Sequence, residues 1–332
     1  MPESYVKRIL NARIYDLAKE TPLDNARLLA ERTSNKVLLK REDLQPVFSF
    51  KLRGAYNRLL KLTEDERARG VIAASAGNHA QGIALGAQHL GIKATIVMPR
   101  TTPAIKVDAV KARGAKVVLI GDSYDDAAAH AKKLVEEKGM TYVHPFDDPD
   151  VIAGQGTVAM EILRQYPGDI DAIFVPVGGG GLAAGIAAYI KYVRPEIKII
   201  AVESEEAACL KVALEKKKRV VLPQVGIFAD GIAVAQIGEE TFRILRKTVD
   251  DCITVPPMKF VQVLKTFLKI LAQFQNLPVR QLWLALKNMP QSMAFKVKLW
   301  WRLSRVLIPI LIGCVTFLSA PKLAKSARRF SL

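Results

Sequence analysis

Short β-branched apolar runs alternate with amphipathic stretches along the first three-quarters of the chain. Val37–Lys40, Val71–Ala74, Ala94–Val97, Lys116–Ile120, Ala172–Val177 and Ile197–Val202 read as strands, because branched side chains suit a pleated, half-buried surface. Between them, Leu52–Lys61, His79–Leu90, Pro103–Ala112, Tyr124–Lys138 and Val151–Gln165 carry apolar residues at helical spacing. Met1 to Glu20 reads as one charged amphipathic helix and not as a signal peptide. The alternation predicts an α/β fold: βαβ units, parallel sheets and helices on both faces. Ligands of such folds sit at the carboxyl ends of the strands, so the loops there are where chemistry is sought.

The rhythm stops near residue 255. All 32 acidic residues lie at or before Asp251, and that first part carries a net charge of only +4. The last 81 residues carry +13 with no Asp or Glu, and they hold all three tryptophans, Trp283, Trp300 and Trp301. The overall +17 therefore reports a basic tail at 256–332 and not a basic protein. A nucleic-acid or membrane-surface binder driven by that tail is the alternative from another functional class, but the tail lacks the interleaved aromatic and basic spacing of a binding module. Its uncharged run Val306–Leu318 is too short to span a bilayer and is interrupted by Pro309 and Gly313. Three scattered cysteines and four scattered histidines argue against disulfides and bound metal, and favour the cytoplasm.

Three loops carry candidate chemistry. Ser49–Ala55 places Lys51 at a helix start, where the dipole favours a neutral, nucleophilic amine. Ser75-Ala76-Gly77-Asn78-His79 follows the strand Val71–Ala74 and presents backbone N–H groups and short polar side chains to a carboxylate or phosphate. Gly178-Gly179-Gly180-Gly181-Leu182 follows another strand and leaves its backbone bare for a phosphate. Each has an ordinary reading when taken alone: a surface lysine, a strand-to-helix turn with Asn78 as N-cap, a structural glycine turn. His79 as a base lacks an orienting carboxylate in the sequence. Together the loops ask for a reactive amine, a carboxylate cradle and a phosphate cradle.

These loops, with Thr21-Pro22-Leu23, Lys40-Arg41-Glu42-Asp43-Leu44 and Phe228-Ala229-Asp230-Gly231, resemble threonine dehydratase of the fold-type II (tryptophan synthase β-like) pyridoxal-phosphate enzymes, collinearly from about Tyr5 to Val255. The resemblance implies a catalytic core over 1–255 made of two interleaved α/β subdomains, the smaller at about 45–150. It implies that Lys51 binds pyridoxal 5'-phosphate as a Schiff base with Phe50 beside the ring. Asn78 would face the cofactor's phenolic oxygen, Gly178, Gly179, Gly180, Gly181 and Leu182 would hold its phosphate, and Ser75, Ala76, Gly77 and Asn78 would receive the substrate carboxylate. The implied reaction turns L-threonine into 2-oxobutanoate and ammonia, and L-serine into pyruvate, at the first step of isoleucine biosynthesis. Serine racemase and serine dehydratase share the fold and are the nearest rivals. A homo-oligomer is implied for the intact family enzyme.

The family continues past Val255 to a Ser-Gly-Ala-Asn motif whose serine meets the pyridine nitrogen, and no such motif occurs here. A displaced reading frame accounts for this. Codons GAT-CGG-TTG-CGT spell the family's Asp-Arg-Leu-Arg; read one base later they spell Ile312-Gly313-Cys314-Val315. The family's Asp-Glu-Ile-Cys-Ala gives Met258-Lys259-Phe260-Val261-Gln262 by the same displacement. On this reading the tail is not a native domain and has no reason to pack, no regulatory domain is expected within these residues, and the parent is the biosynthetic form. Because a domain's net stability is only about 5–15 kcal/mol, loss of the last core elements is expected to impair folding and activity.

Overall fold

Two sheets organise the computed structural model, which describes residues 2–226, 229–256 and 314–319. The chain opens with α1 (Pro2–Leu10), β1 (Leu23–Asn25), α2 (Arg27–Thr33) and β2 (Lys36–Arg41), and a 3-10 turn at Glu42–Leu44 leads into the lysine loop. There follow α3 (Lys51–Leu60), α4 (Glu64–Arg69), β3 (Val71–Ala74), α5 (Asn78–Leu90), β4 (Ala94–Met98), α6 (Ala104–Lys111), β5 (Lys116–Leu119), α7 (Tyr124–Lys138) and β6 (Thr141–Tyr142). The chain then runs through α8 (Pro149–Gln165), β7 (Ala172–Pro176), α9 (Gly181–Val193), β8 (Lys198–Ser204), α10 (Cys209–Glu215), α11 (Glu239–Thr248) and β9 (Asp251–Val255). The last described element is β10 (Cys314–Ser319).

The smaller sheet, ordered β5-β4-β3-β6, is parallel throughout. Its apolar residues pack with α3 and α5 on one side and α7 on the other. The larger sheet, ordered β1-β2-β10-β7-β8-β9, is parallel only from β7 to β9. Its β1 runs antiparallel to β2, and β10 antiparallel to both of its neighbours. The parallel strands expected from the alternation make up the whole smaller sheet and β7 to β9 of the larger one, and antiparallel pairing enters only at β1, β2 and β10. Residues 23–25 and 36–41 are joined by a connection that brings β1 back beside β2 in the opposite direction, a pairing that apolar alternation alone does not specify.

The first helix is a correction: it ends at Leu10 instead of reaching Glu20. Beyond Asn11 the apolar residues Ala12, Ile14 and Ala18 are buried against Leu52 and Tyr56 of α3. Their pattern serves this irregular docking and not a helical face. Most of the tail, including Met258–Gln262, Ile312 and Gly313, lies outside the described residues. Where the tail is described, at Cys314–Ser319, it forms a strand inside the larger sheet.

Candidate active site

Lys51 is the first residue of α3, after Phe50, and no side chain caps this helix. Its Nζ donates to the Pro145 carbonyl at 2.8 Å and lies 5.6 Å from the centroid of the Phe50 ring. Burial pushes the amine down to about 8. Enclosure, and not the helix dipole expected from its place at a helix start, lowers this amine. About a tenth of such an amine is neutral at pH 7, far more than of an ordinary lysine.

A buried ion network holds α3 in place. Arg53, fully buried two residues beyond Lys51, donates to Glu42 at 2.7 Å, pairs with Glu161 of α8 and reaches Thr157 at 3.0 Å. Lys40 of β2, also buried, donates to Thr21 and pairs with Glu161 at 2.6 Å. Burial alone would raise the Glu42 carboxyl, but the Arg53 guanidinium and the Thr21 hydroxyl more than offset it and hold it low. Burial outweighs Glu161 at Lys40, whose amine is pushed down. The network ties α3 to β2 and α8, so the lysine's backbone is fixed by charges on three elements.

The second loop starts α5. Gly77, not Asn78, is the N-cap, and Asn78 is the first helical residue, with no side-chain cap. This corrects the N-cap reading of Asn78. Ser75 Oγ instead accepts from the Gly77 N–H at 3.3 Å, and a Cβ placed on Gly77 would meet nothing within 4 Å, so this turn faces open space. Ala76 and Asn78 are half-buried beside it. His79 is buried, with Nε2 2.9 Å from the Val143 carbonyl, which makes that nitrogen the donor and leaves Nδ1 an acceptor without a partner. Burial, with the nearby Lys51 charge, lowers His79 to about 3, so it stays neutral.

The third loop starts α9. Gly180 is its N-cap at φ 93°, a conformation that favours glycine, and no side chain caps the helix. A Cβ on Gly179 would overlap the Phe146 ring. Cys209 Sγ donates to the Gly178 carbonyl at 3.4 Å, and Leu182 is buried behind the turn. Phe146 belongs to a segment that sequence reasoning passed over, 143–148. Val143 meets His79, Pro145 meets Lys51 and Phe146 meets the glycines, all within a few residues. The only local signal was a His-Pro-Phe-Asp-Asp run between a short strand and a helix.

The family model for pyridoxal-phosphate dependent enzymes matches residues 14–272. The chain belongs to that family. Its matched span continues past Val255, where the collinear resemblance was placed to end. The biosynthetic L-threonine dehydratase of Burkholderia multivorans is 61% identical over 254 residues, covering 76% of this chain and 50% of the relative. The chloroplastic biosynthetic threonine dehydratase of Arabidopsis thaliana is 60% identical over 251 residues, covering 76% and 42%. The chain thus spans half or less of the length of these relatives. The processed threonine deaminase isoform 2 of Solanum lycopersicum superposes with a TM-score of 0.75 at 50% identity, covering 77% of this chain and 74% of that one. Maize serine racemase superposes at 0.77 with 35% identity, covering 80% and 81%. The larger sheet's mixed directions notwithstanding, the fold is that of fold-type II pyridoxal-phosphate enzymes.

The residues present fit the family's cofactor. An enclosed amine with a lowered pKa suits a Schiff base to an aldehyde. Two helices, α5 and α9, begin at glycines without side-chain caps, which leaves their first N–H groups to receive anions. Among the described residues no group of His, Cys, Asp or Glu is placed to hold a metal ion, and no helix is long and apolar enough to cross a membrane.

Proposed function

We propose that this chain carries the catalytic site of a threonine dehydratase, which converts L-threonine to 2-oxobutanoate and ammonia and L-serine to pyruvate. The observation that carries the reading is the Lys51 amine, held on the Pro145 carbonyl at 2.8 Å with its pKa down to about 8. Pyridoxal phosphate, when bound, supplies an electron sink for a negative charge developing at the substrate Cα. Lys51 would hold it through its amine, which is also the group placed to take a proton from the substrate Cα. Gly178 to Gly181, beside Leu182, would hold the phosphate on backbone N–H groups. Ser75 to Asn78 would receive the substrate carboxylate at the start of α5, and Asn78 would also serve the cofactor's phenolic oxygen. Phe50 would lie beside the ring. The identity with biosynthetic threonine dehydratases supports threonine as substrate and a place in isoleucine biosynthesis.

The likeness to maize serine racemase supports racemisation of serine as the second reading. Purified chain, with pyridoxal phosphate, is expected to gain a near-violet absorbance that Lys51→Ala abolishes, and to release 2-oxobutanoate from threonine at a rate lowered by the altered tail. D-serine formed from L-serine without 2-oxobutanoate from threonine would favour the rival. The free thiols of Cys209 and Cys252 suit a reducing, cytoplasmic setting. Residues 1–255 are read as the catalytic core and 256–332 as the displaced-frame tail. Sequencing the gene tests the tail: an uninterrupted frame whose codons do not spell the family's residues one base earlier ends that reading.

A further inference from the structure

We propose that Asp147 is the positioning residue for the phosphate end of the site, acting through α11 on the glycine loop. The α11 helix begins at Gly238 and has no cap from its own segment. Its cap comes from Asp147, more than ninety residues earlier. One carboxylate accepts from three successive N–H groups, Glu239 at 2.8 Å, Glu240 at 2.9 Å and Thr241 at 3.1 Å. A carboxylate there also meets the positive end of the helix dipole. Thr241, fully buried, donates its hydroxyl to the Gly179 carbonyl at 2.8 Å, and the Gly238 N–H reaches the same oxygen at 3.4 Å. The capped first turn of α11 therefore grips the peptide of Gly179 from behind.

Asp147 is itself held. His144 Nδ1 accepts from the Asp147 N–H at 2.8 Å and from the Phe146 N–H at 3.3 Å, and the His144 ring meets Phe146 edge-on at 4.6 Å. Phe146 then fills the space that a side chain on Gly179 would need. Two independent contacts, a ring and a hydroxyl, thus fix one glycine. With its carbonyl engaged behind, the Gly179 peptide has its orientation set, and so do the N–H groups offered to a phosphate. Pro145, between these residues, carries the carbonyl that takes Lys51, so one segment sets the spacing between amine and phosphate ends.

The inference rests on the reading of the glycine loop as the phosphate cradle. It is tested by equilibrium binding of pyridoxal phosphate and of pyridoxal, which has the aldehyde but no phosphate, to the full chain. Unaltered chain is expected to prefer pyridoxal phosphate. Asp147→Asn, which keeps an acceptor but loses the charge, is expected to weaken pyridoxal phosphate about three- to tenfold and pyridoxal less than twofold. Thr241→Val, which removes only the hydroxyl on Gly179, is expected to show the same selective loss and serves as the second arm if the first variant misfolds. An equal loss for both aldehydes, or no loss for either, overturns the role of Asp147. No preference for the phosphate in the unaltered chain overturns instead the cradle reading beneath it.

Discussion

At Lys51 a single enclosed amine sets a pH dependence. Its pKa falls from 10.5 to about 8 because burial disfavours the charged form. The rate at which cofactor-free chain captures pyridoxal phosphate should therefore rise through a midpoint near pH 8 and level off above it. Stopped-flow absorbance would check this, and a midpoint near 10 would show that the amine is not enclosed. The stability sign follows from the same shift. Between about 8 and 10.5 the unfolded chain holds a proton that the folded chain has released, so stability rises with pH over that window. Below it the full cost of a buried charge is present. Lys51→Met removes that cost, so the cofactor-free variant should be more stable at pH 7 by about 1–3 kcal/mol. The gain should shrink as pH rises from 8 towards 10.5, and urea denaturation at several pH values would measure it. His79, held down at about 3, contributes nothing to either profile.

Among the elements, α3 depends most on charges drawn from elsewhere. Arg53 sits among Glu42, Glu161 and Thr157 with no exposure to water. Arg53→Met would leave two buried carboxylates short of a counter-charge, and removing one partner of such a pair costs about 3–5 kcal/mol. Arg53→Lys keeps the charge but loses the planar fork that spans both carboxylates, so an intermediate loss is expected. Urea midpoints of the two variants would rank them, and equal stability of all three proteins would show that the network does not hold α3. The sequence made α3 and α5 readable because Leu52–Lys61 and His79–Leu90 carry apolar residues at helical spacing. It placed β3 and α7 at the bounds found in the structure. It did not disclose Arg53, because an arginine near a helix start looks solvent-exposed until three other elements close over it. Nor did it disclose residues 143–148, whose work is done by main-chain carbonyls and by a cap on a helix ninety residues away. Short-range patterns carry neither kind of information.

In the whole molecule the two sheets differ in what they require of the chain. The smaller one draws its strands from 71 to 142 and is complete within that stretch. The larger one is joined in its middle by β10, from the part of the chain that holds no acidic residue. Without that strand, β2 and β7 would face each other as unpaired edges, and the β1–β2 pair would be held only by its helices. Thr316 is the position that tests whether β10 contributes. It lies opposite Leu39 on one side and Phe174 on the other, so it belongs to ladders in both directions. Proline has no N–H and is not tolerated in a central strand. Thr316→Pro removes a ladder hydrogen bond and leaves its acceptor unpaired, so it is expected to cost about 1–3 kcal/mol, lowering the melting temperature by roughly 2 °C or more, since a domain of this size shifts by about 2–4 °C per kcal/mol. An unchanged melting temperature would mean that the strand does not hold the sheet together. The core would then stand on residues before 257, and the tail would be what its composition implies: a sequence not shaped by packing.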